Sequence, residues 1–420
     1  MPLKLEKRNL SIFHRKIPLQ DLPDTFRDAV WTTWRLGCKF LWIDALCIIQ
    51  DSQRDWEAES REMGRIFNFA SVVLAAVDGV NPSSGLLPRE ASPAEMGNLT
   101  INATVRWAPQ ELHMNSTKLV LQRGLQSDDY GTRIPGPWNN RGWTMQEEAL
   151  SRRIIYFRNS RCSWSCKEAS WEEDGTTGSG DQHSFAGFGG PVGSHDNKWC
   201  RMVQKYSQRA LTVSSDRLIA VEGMARLFGD LLGRQQQDYI YGLWKEDLPS
   251  TLAWRTNAQP GIDNASGALV PTWSWAAMNT PVYWDMEPNL ISQRSYFEVD
   301  PGAFSLKITG SFVSATYVTS LQLGTWTRLS YTSKCLFDTT YSNTSSNYLL
   351  LYASRKYEKT PSFYGRMTYV FLILECRDRN RDYWVRRGLC HVTPSDPDAT
   401  WWEDKSSKLF LLHQRTLFLC

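Results

Sequence analysis

The sequence predicts an α/β region, a parallel sheet with flanking helices, joined to a β-rich C-terminal region, so α+β overall. Three observations carry this reading. Residues 40–79 run as an apolar stretch containing Asp44, a polar loop, an amphipathic helix and a second apolar stretch, the order of strand, crossover helix and parallel strand. Two further amphipathic helices are expected at 198–210 and 215–232. After Pro271 the periodicity changes to β-branched and aromatic segments separated by turns, as in an antiparallel sheet or sandwich.

The elements follow in order. Residues 18–37 form a helix, with Asp21 as cap, Pro23 in the first turn, and Phe26, Ala29, Val30, Thr33 and Trp34 repeating at three- and four-residue steps. Gly37 is placed to end it. Phe40 to Ile49 is apolar almost throughout and reads as a strand buried on both faces. A helix starting near Arg54 lines one side with Trp56, Met63, Ile66, Phe67 and Ala70, and Val72 to Val77 is the next strand. Between 79 and 137 only VRWA and KLVLQ suggest short edge strands. Arg141 to Leu150 is a short helix, and Arg153 to Phe157 with Arg161 to Cys166 a hairpin turned at Arg158-Asn159-Ser160. Residues 174–197 are glycine-rich, with little to bury. The pattern divides the chain at 1–137, 138–284 and 285–420.

A chain of 420 residues exceeds one ordinary core, which agrees with several domains. The net charge is +3 and no basic stripe is interleaved with aromatics, so nucleic acid is excluded as a partner. No stretch is apolar enough to span a bilayer and the N-terminus lacks a signal-peptide core, so a membrane is excluded and a cytoplasmic location expected. Nine scattered cysteines are then free thiols. Nineteen tryptophans imply large buried surfaces or a pocket built from flat rings.

No phosphate-binding fingerprint and no Gly-x-Ser-x-Gly elbow is present, and no cofactor is implied. Cys162 and Cys166, followed by His183 and His195, suggest zinc, but Trp164 shares the thiols' face and the histidines lie in the glycine-rich loop, so core thiols are the reading and no metal is assigned. The acidic cluster is more informative. A carboxylate at Asp44 inside an apolar strand would cost several kcal/mol without a partner, and Glu59, three residues after Trp56, stands on the first turns of the following helix. Asp44 and Glu59 are the catalytic candidates; a loop cap or arginine pair at Asp44 and a solvated Glu59 are the plainer alternative. Arg141 is the candidate partner of Asp44. Trp143, Gln146 and Glu147 beside it, with Trp56, are candidate ligand contacts. Trp273 and Trp275 alternate on an extended segment, as interdomain packing or a stacking platform.

Four blocks, LPDTFRDAVWTTWRLGCKFLWIDALCIIQDSQRDWEAESREMGRIFNFAS, RGWTMQEEALSRRIIYF, YSQRALTVSSDRLIAVEGMARLF and PTWSWAA, resemble in sequence and order the HET (heterokaryon incompatibility) domain of filamentous fungi. The resemblance implies non-self recognition between strains and cell death after incompatible fusion. It also implies a distant similarity to TIR domains, some of which hydrolyse NAD with a glutamate on a helix after a strand. The Trp56-Glu57-Ala58-Glu59 run is similar to that pattern and assigns the role to Glu59. Most members open with a strand reading roughly Tyr-Val-Ala-Leu-Ser-Tyr-Cys-Trp-Gly. SIFHRKI is a poor substitute, which implies a truncated sequence or a lost strand, and with a lost strand the nucleotide site.

Two readings follow. One is an intracellular incompatibility effector with TIR-like NAD cleavage at Glu59. The alternative is a HET scaffold repurposed as a cofactor-free cyclase or isomerase of fungal secondary metabolism, with an apolar pocket and Asp44, Glu59 or Glu147 as acid or base. Either leaves open a small-molecule ligand and a protein partner or second copy.

Overall fold

The computed structural model describes residues 3–87, 96–97, 106–107, 110–111, 121–122, 136–158, 162–173, 175, 177–179, 198–248, 250–256, 270–284, 296–300, 305–314, 326–328, 331–337, 348–358, 366–378, 383–394 and 412–419. Helices and sheets are mixed, and the chain forms two compact units, Met1–Gly189 and Gly190–Cys420. Among the described residues no helix is long and apolar enough to cross a membrane.

The first unit opens with α1 (Leu10–Phe13) and α2 (Asp24–Arg35). Helix α2 is shorter than the spacing predicts. Leu19–Asp21 forms a separate 3-10 turn, so Asp21 does not cap it; Pro23 takes that position, and Gly37 adopts a φ of +72° just beyond the far end. Its buried face is centred on Ala29 and Thr32, while Trp34 is 70% exposed. After α3 (Asp44–Cys47) comes α4 (Gln53–Phe69), buried along Ser60, Met63, Gly64 and Phe67, and then β1 (Val73–Ala76).

The strand expected over Phe40 to Ile49 is absent. Residues 40–43 pair with no strand, and Asp44 opens the one-turn helix α3. The run is apolar for another reason. Leu41 and Ile43 pack against the cluster of Ala29, Leu86 and Phe157, while Trp42 meets Phe67 of α4 edge-on at 5.7 Å. Half-buried coil whose side chains reach two neighbouring clusters, although Phe40 itself is 92% exposed, carries the same apolar signature as a central strand.

The two-residue strands β2 (Met96–Gly97), β3 (Arg106–Trp107), β4 (Gln110–Glu111) and β5 (Leu121–Gln122) pair as β2–β5 and β3–β4. Then come α5 (Trp143–Leu150), β6 (Arg153–Phe157), β7 (Cys162–Cys166), β8 (Ala169–Glu172) and β9 (Thr177–Ser179). The sheet runs β1-β6-β7-β8-β9. Its one parallel ladder joins β1 to β6, Val73 opposite Ile154, and the β6–β7 hairpin sets Phe157 opposite Cys162. A parallel pair does exist, therefore, but between strands some eighty positions apart in sequence. The expected turn at Arg158-Asn159-Ser160 and most of the glycine-rich loop lie outside the described residues.

In the second unit, α6 (Lys198–Ser207) buries Trp199, Met202, Val203 and Tyr206, and α7 (Ile219–Leu232) buries Val221, Met224, Ala225 and Phe228. Both helices expected from the sequence are present, each shorter than its expected span. The ribbon β10 (Tyr239–Ile240) and β11 (Leu243–Trp244) turns through Tyr241 and Gly242, both with positive φ, a two-residue hairpin of the primed type. The Gly242 carbonyl accepts the indole N–H of both Trp199 and Trp275, each at 2.8 Å. Its φ is +92°, and a Cβ there would stand 2.4 Å from Nε1 of Trp275. Gly242→Ala is expected to cost about 2–3 kcal/mol from backbone strain and overpacking together, measured by denaturant unfolding followed through tryptophan fluorescence.

A second ribbon pairs β12 (Arg255–Thr256) with β13 (Val282–Tyr283). The β-rich tail comprises β14 (Tyr296–Asp300), β15 (Ser305–Ser314), β16 (Trp326–Arg328), β17 (Tyr331–Phe337), β18 (Tyr348–Glu358), β19 (Arg366–Asp378), β20 (Tyr383–Pro394) and β21 (Leu412–Leu419). It is one sheet whose pairings return on themselves: β15 to β18, β19, β20, then β21, which pairs back with β15. Strand β19 is buried on both faces from Val370 to Glu375.

Candidate functional site

Helix α3 is set by local hydrogen bonds. The Asp44 carboxylate accepts the Ala45 amide at 2.7 Å, and the Gln50 side chain donates to the carbonyls of Asp44 and Ile48. From the N-terminal segment, Leu5 donates its amide to Ala45 and accepts from the Gln50 amide, 2.8 Å each. These bonds occupy backbone groups that a ladder would need. Asp44 is consequently exposed, not embedded in a sheet, and needs no buried counter-charge. Arg141 is exposed too, and among the described residues it forms no ion pair with Asp44. Both expectations fail for one reason: they required a strand at 40–49.

The turn into α4 is held by Ser52, whose hydroxyl accepts the Asp55 amide, and by the Asp55 carboxylate, which accepts the Ile49 amide at 2.7 Å. Asp55 thus fixes the loop between α3 and α4, a role the sequence reading missed. The Ser52-x-x-Asp55 spacing ahead of an amphipathic helix was its signal. Trp56 and Glu59 follow on the next turns, both half-buried, and Glu57 on the exposed face accepts from Gln53.

Helix α5 packs along α4. The ring of Trp143 meets that of Trp56 edge-to-face, centroids 6.4 Å apart. Thr144 anchors the start of α5 on the carbonyls of Trp138 and Arg141. Gln146 is buried; Glu147 is half-buried, and its backbone carbonyl accepts the Ser151 hydroxyl. Glu148 accepts the hydroxyl of Tyr156 on β6 at 3.2 Å.

Cys47 ties the carboxylates together. Desolvation pushes its thiol above the ordinary cysteine value, a backbone hydrogen bond at Ile43 opposes this, and the charges of Asp44 and Glu59 raise it further. Asp44 and Glu59, from different helices, both lie close enough to Cys47 for their charges to act on its thiol. The raised thiol stays protonated near neutral pH and is a poor nucleophile. Asp44→Asn combined with Glu59→Gln is expected to speed alkylation of Cys47 by iodoacetamide at pH 8, read by peptide mass spectrometry. An unchanged rate would show that the charges do not reach the sulfur.

Trp273 and Trp275 belong to the second unit and are fully buried. They occupy a turn and a 3-10 helix, not an extended platform, and meet Tyr241 and Tyr206 edge-on. Neither offers a ring face to a ligand. Cys162 packs on the first unit's core, and burial, with Glu173 adding, raises its thiol to about 11. His183 and His195 lie outside the described residues. Among the described residues no group of three or more metal-ligating side chains forms.

Residues 4–147 match the family model described as heterokaryon incompatibility protein (HET). The segment is similar to HET domains. It contains Asp44, Cys47, Trp56, Glu59, Arg141, Trp143, Gln146 and Glu147, and leaves out Trp273 and Trp275. No curated protein and no solved structure matches the chain.

Proposed function

We propose that the HET domain acts in the fungal cytosol as an incompatibility-type effector, in non-self recognition and cell death, and that it cleaves NAD through Glu59 in a TIR-like manner. One observation supports this reading beyond the family match. A glutamate on the helix after α3 stands with Asp44 around Cys47, on the same helix as Trp56, whose ring meets Trp143. That arrangement combines carboxylate charge with aromatic surface.

The chemistry asks little more of the protein. The C–N bond between ribose and nicotinamide breaks with its electron pair moving to the ring nitrogen, which neutralises the pyridinium. The positive charge left on the ribosyl carbon is stabilised by the Glu59 carboxylate. Water adds to that carbon and loses a proton, giving ADP-ribose. The Trp56–Trp143 pair supplies an apolar wall for the nicotinamide. A protein partner or second copy would gate the activity.

The test is incubation of the purified full chain with NAD and chromatographic detection of nicotinamide. Release by the wild type and by Glu57→Gln, but not by Glu59→Gln, is the expected outcome. Release that persists in Glu59→Gln would move the chemistry elsewhere, and no release at all would remove the enzymatic half of the proposal. The cyclase or isomerase alternative needed an aromatic-lined pocket, and burial of Trp273 and Trp275 takes away two of its walls.

A further inference from the structure

In the second unit, among the described residues, strand β17 joins the sheet through β20, with β16 on its other edge. It branches off where β20 leaves β21: Trp384 of β20 pairs with β21, while Gly388–Pro394 pair with β17. Within that ladder Cys335 stands directly opposite Cys390.

Residues directly opposite on antiparallel strands have Cα atoms about 4.5 or 5.5 Å apart, according to whether the pair lies at a non-hydrogen-bonded or hydrogen-bonded site. Both spacings fall inside the range of about 4.4–6.8 Å that a disulfide requires. The Cα spacing at this one register position therefore admits a bridge. A slip of a single residue would place the two on opposite faces and forbid it.

We propose that Cys335 and Cys390 form a reversible cross-strand disulfide, making this ladder an oxidation-sensitive staple. With a peroxide as oxidant, the thiolate of one cysteine attacks a peroxide oxygen, the O–O bond breaks, and a sulfenic acid and water result. The second thiol then attacks the sulfenic sulfur, the S–S bond forms, and water leaves. Two thiols and one hydrogen peroxide give one disulfide and two waters. A dithiol reductant reverses the step by thiol–disulfide exchange. The bond closes the segment that contains β18 and β19, and pins the β16–β17 hairpin, which among the described residues joins the sheet through its ladder with β20.

The experiment is treatment of the purified full chain with hydrogen peroxide, alkylation of the remaining thiols, and non-reducing peptide mapping. The expected product is a linked peptide pair joining Cys335 to Cys390, two hydrogens lighter than the reduced pair and released by dithiothreitol. Hydrogen exchange of β17 should slow on oxidation of the wild type and stay unchanged in Cys335→Ser and Cys390→Ser. The proposal is overturned if both cysteines remain alkylatable after excess peroxide, or if either is found bonded to another cysteine. The wild-type map decides the matter even where the serine variants fold poorly.

Discussion

Under the proposed function, Glu59→Gln is expected to lower nicotinamide release from NAD by about a hundredfold or more, the scale for removing one electrostatic stabiliser of a developing charge. The amide keeps the size of the side chain and loses only its charge, and Glu59 is half-buried on the surface of α4, so stability should move by no more than about 0.5 kcal/mol. The loss belongs in kcat more than in KM, because the ribosyl cation exists only at the transition state. Trp56→Ala should do the reverse, raising KM by removing ring surface that substrate and transition state use equally. Asp44→Asn should fall between wild type and Glu59→Gln, since the Asp44 charge also reaches Cys47 but comes from α3, not α4. Glu57→Gln is the control on the same helix: its carboxylate is exposed and bonded to Gln53. A kcat for Glu59→Gln equal to that of Glu57→Gln would end the assignment.

The periodic parts of this fold were legible in the sequence. Helices α4, α6 and α7 announce their buried faces by spacing, because one stripe of each meets a core. The β6–β7 hairpin and the long strands of the tail are equally plain. The failure at 40–49 is instructive. Periodicity reports which residues are buried, not which backbone groups bond, and Leu41, Trp42 and Ile43 are packed from two directions without joining a ladder. The true parallel partner of β1 was hidden by distance, since nothing local in Val73–Ala76 points to Ile154.

The candidate site divides in the same way. Trp56 and Glu59 come together through helical spacing, and Trp143 joins them by the packing of α5 on α4. Arg141 was assigned as partner to a carboxylate buried in a strand that does not form, and with both side chains exposed Asp44 needs no such counter-ion. Cys47 went unnoticed because a single cysteine carries no pattern; only the meeting of α3 with α4 gives it neighbours. Trp273 and Trp275 misled for the opposite reason. Their alternation suggested a flat surface, whereas a turn folds both rings into the core of the second unit, where Gly242 receives the indole of Trp275.

The largest effect on stability is expected at Gly136. Its φ of −93° suits any residue, so the constraint is purely one of space. A Cβ there would lie 2.2 Å from the carbonyl oxygen of Val77 and 2.9 Å from its carbonyl carbon, both backbone atoms that no rotamer change can move aside. That oxygen also accepts the amide of Trp138, while the amide of Val77 donates to Phe157 at the end of the parallel ladder. Gly136→Ala must therefore push the start of the α5 segment away from β1, or pull β1 away from β6. Either movement breaks backbone bonds and opens the contact of Trp138 with Tyr156, so a cost of about 3–5 kcal/mol is expected, at the upper end for overpacking. Hydrogen exchange resolved by peptide should show it as lost protection in β1, β6 and α5. The same displacement carries Trp143 away from Trp56, so under the proposed function the variant loses activity at temperatures where it is still folded. Full activity with unchanged exchange in α5 would show that the α5 segment is not seated on Val77 as the structure places it.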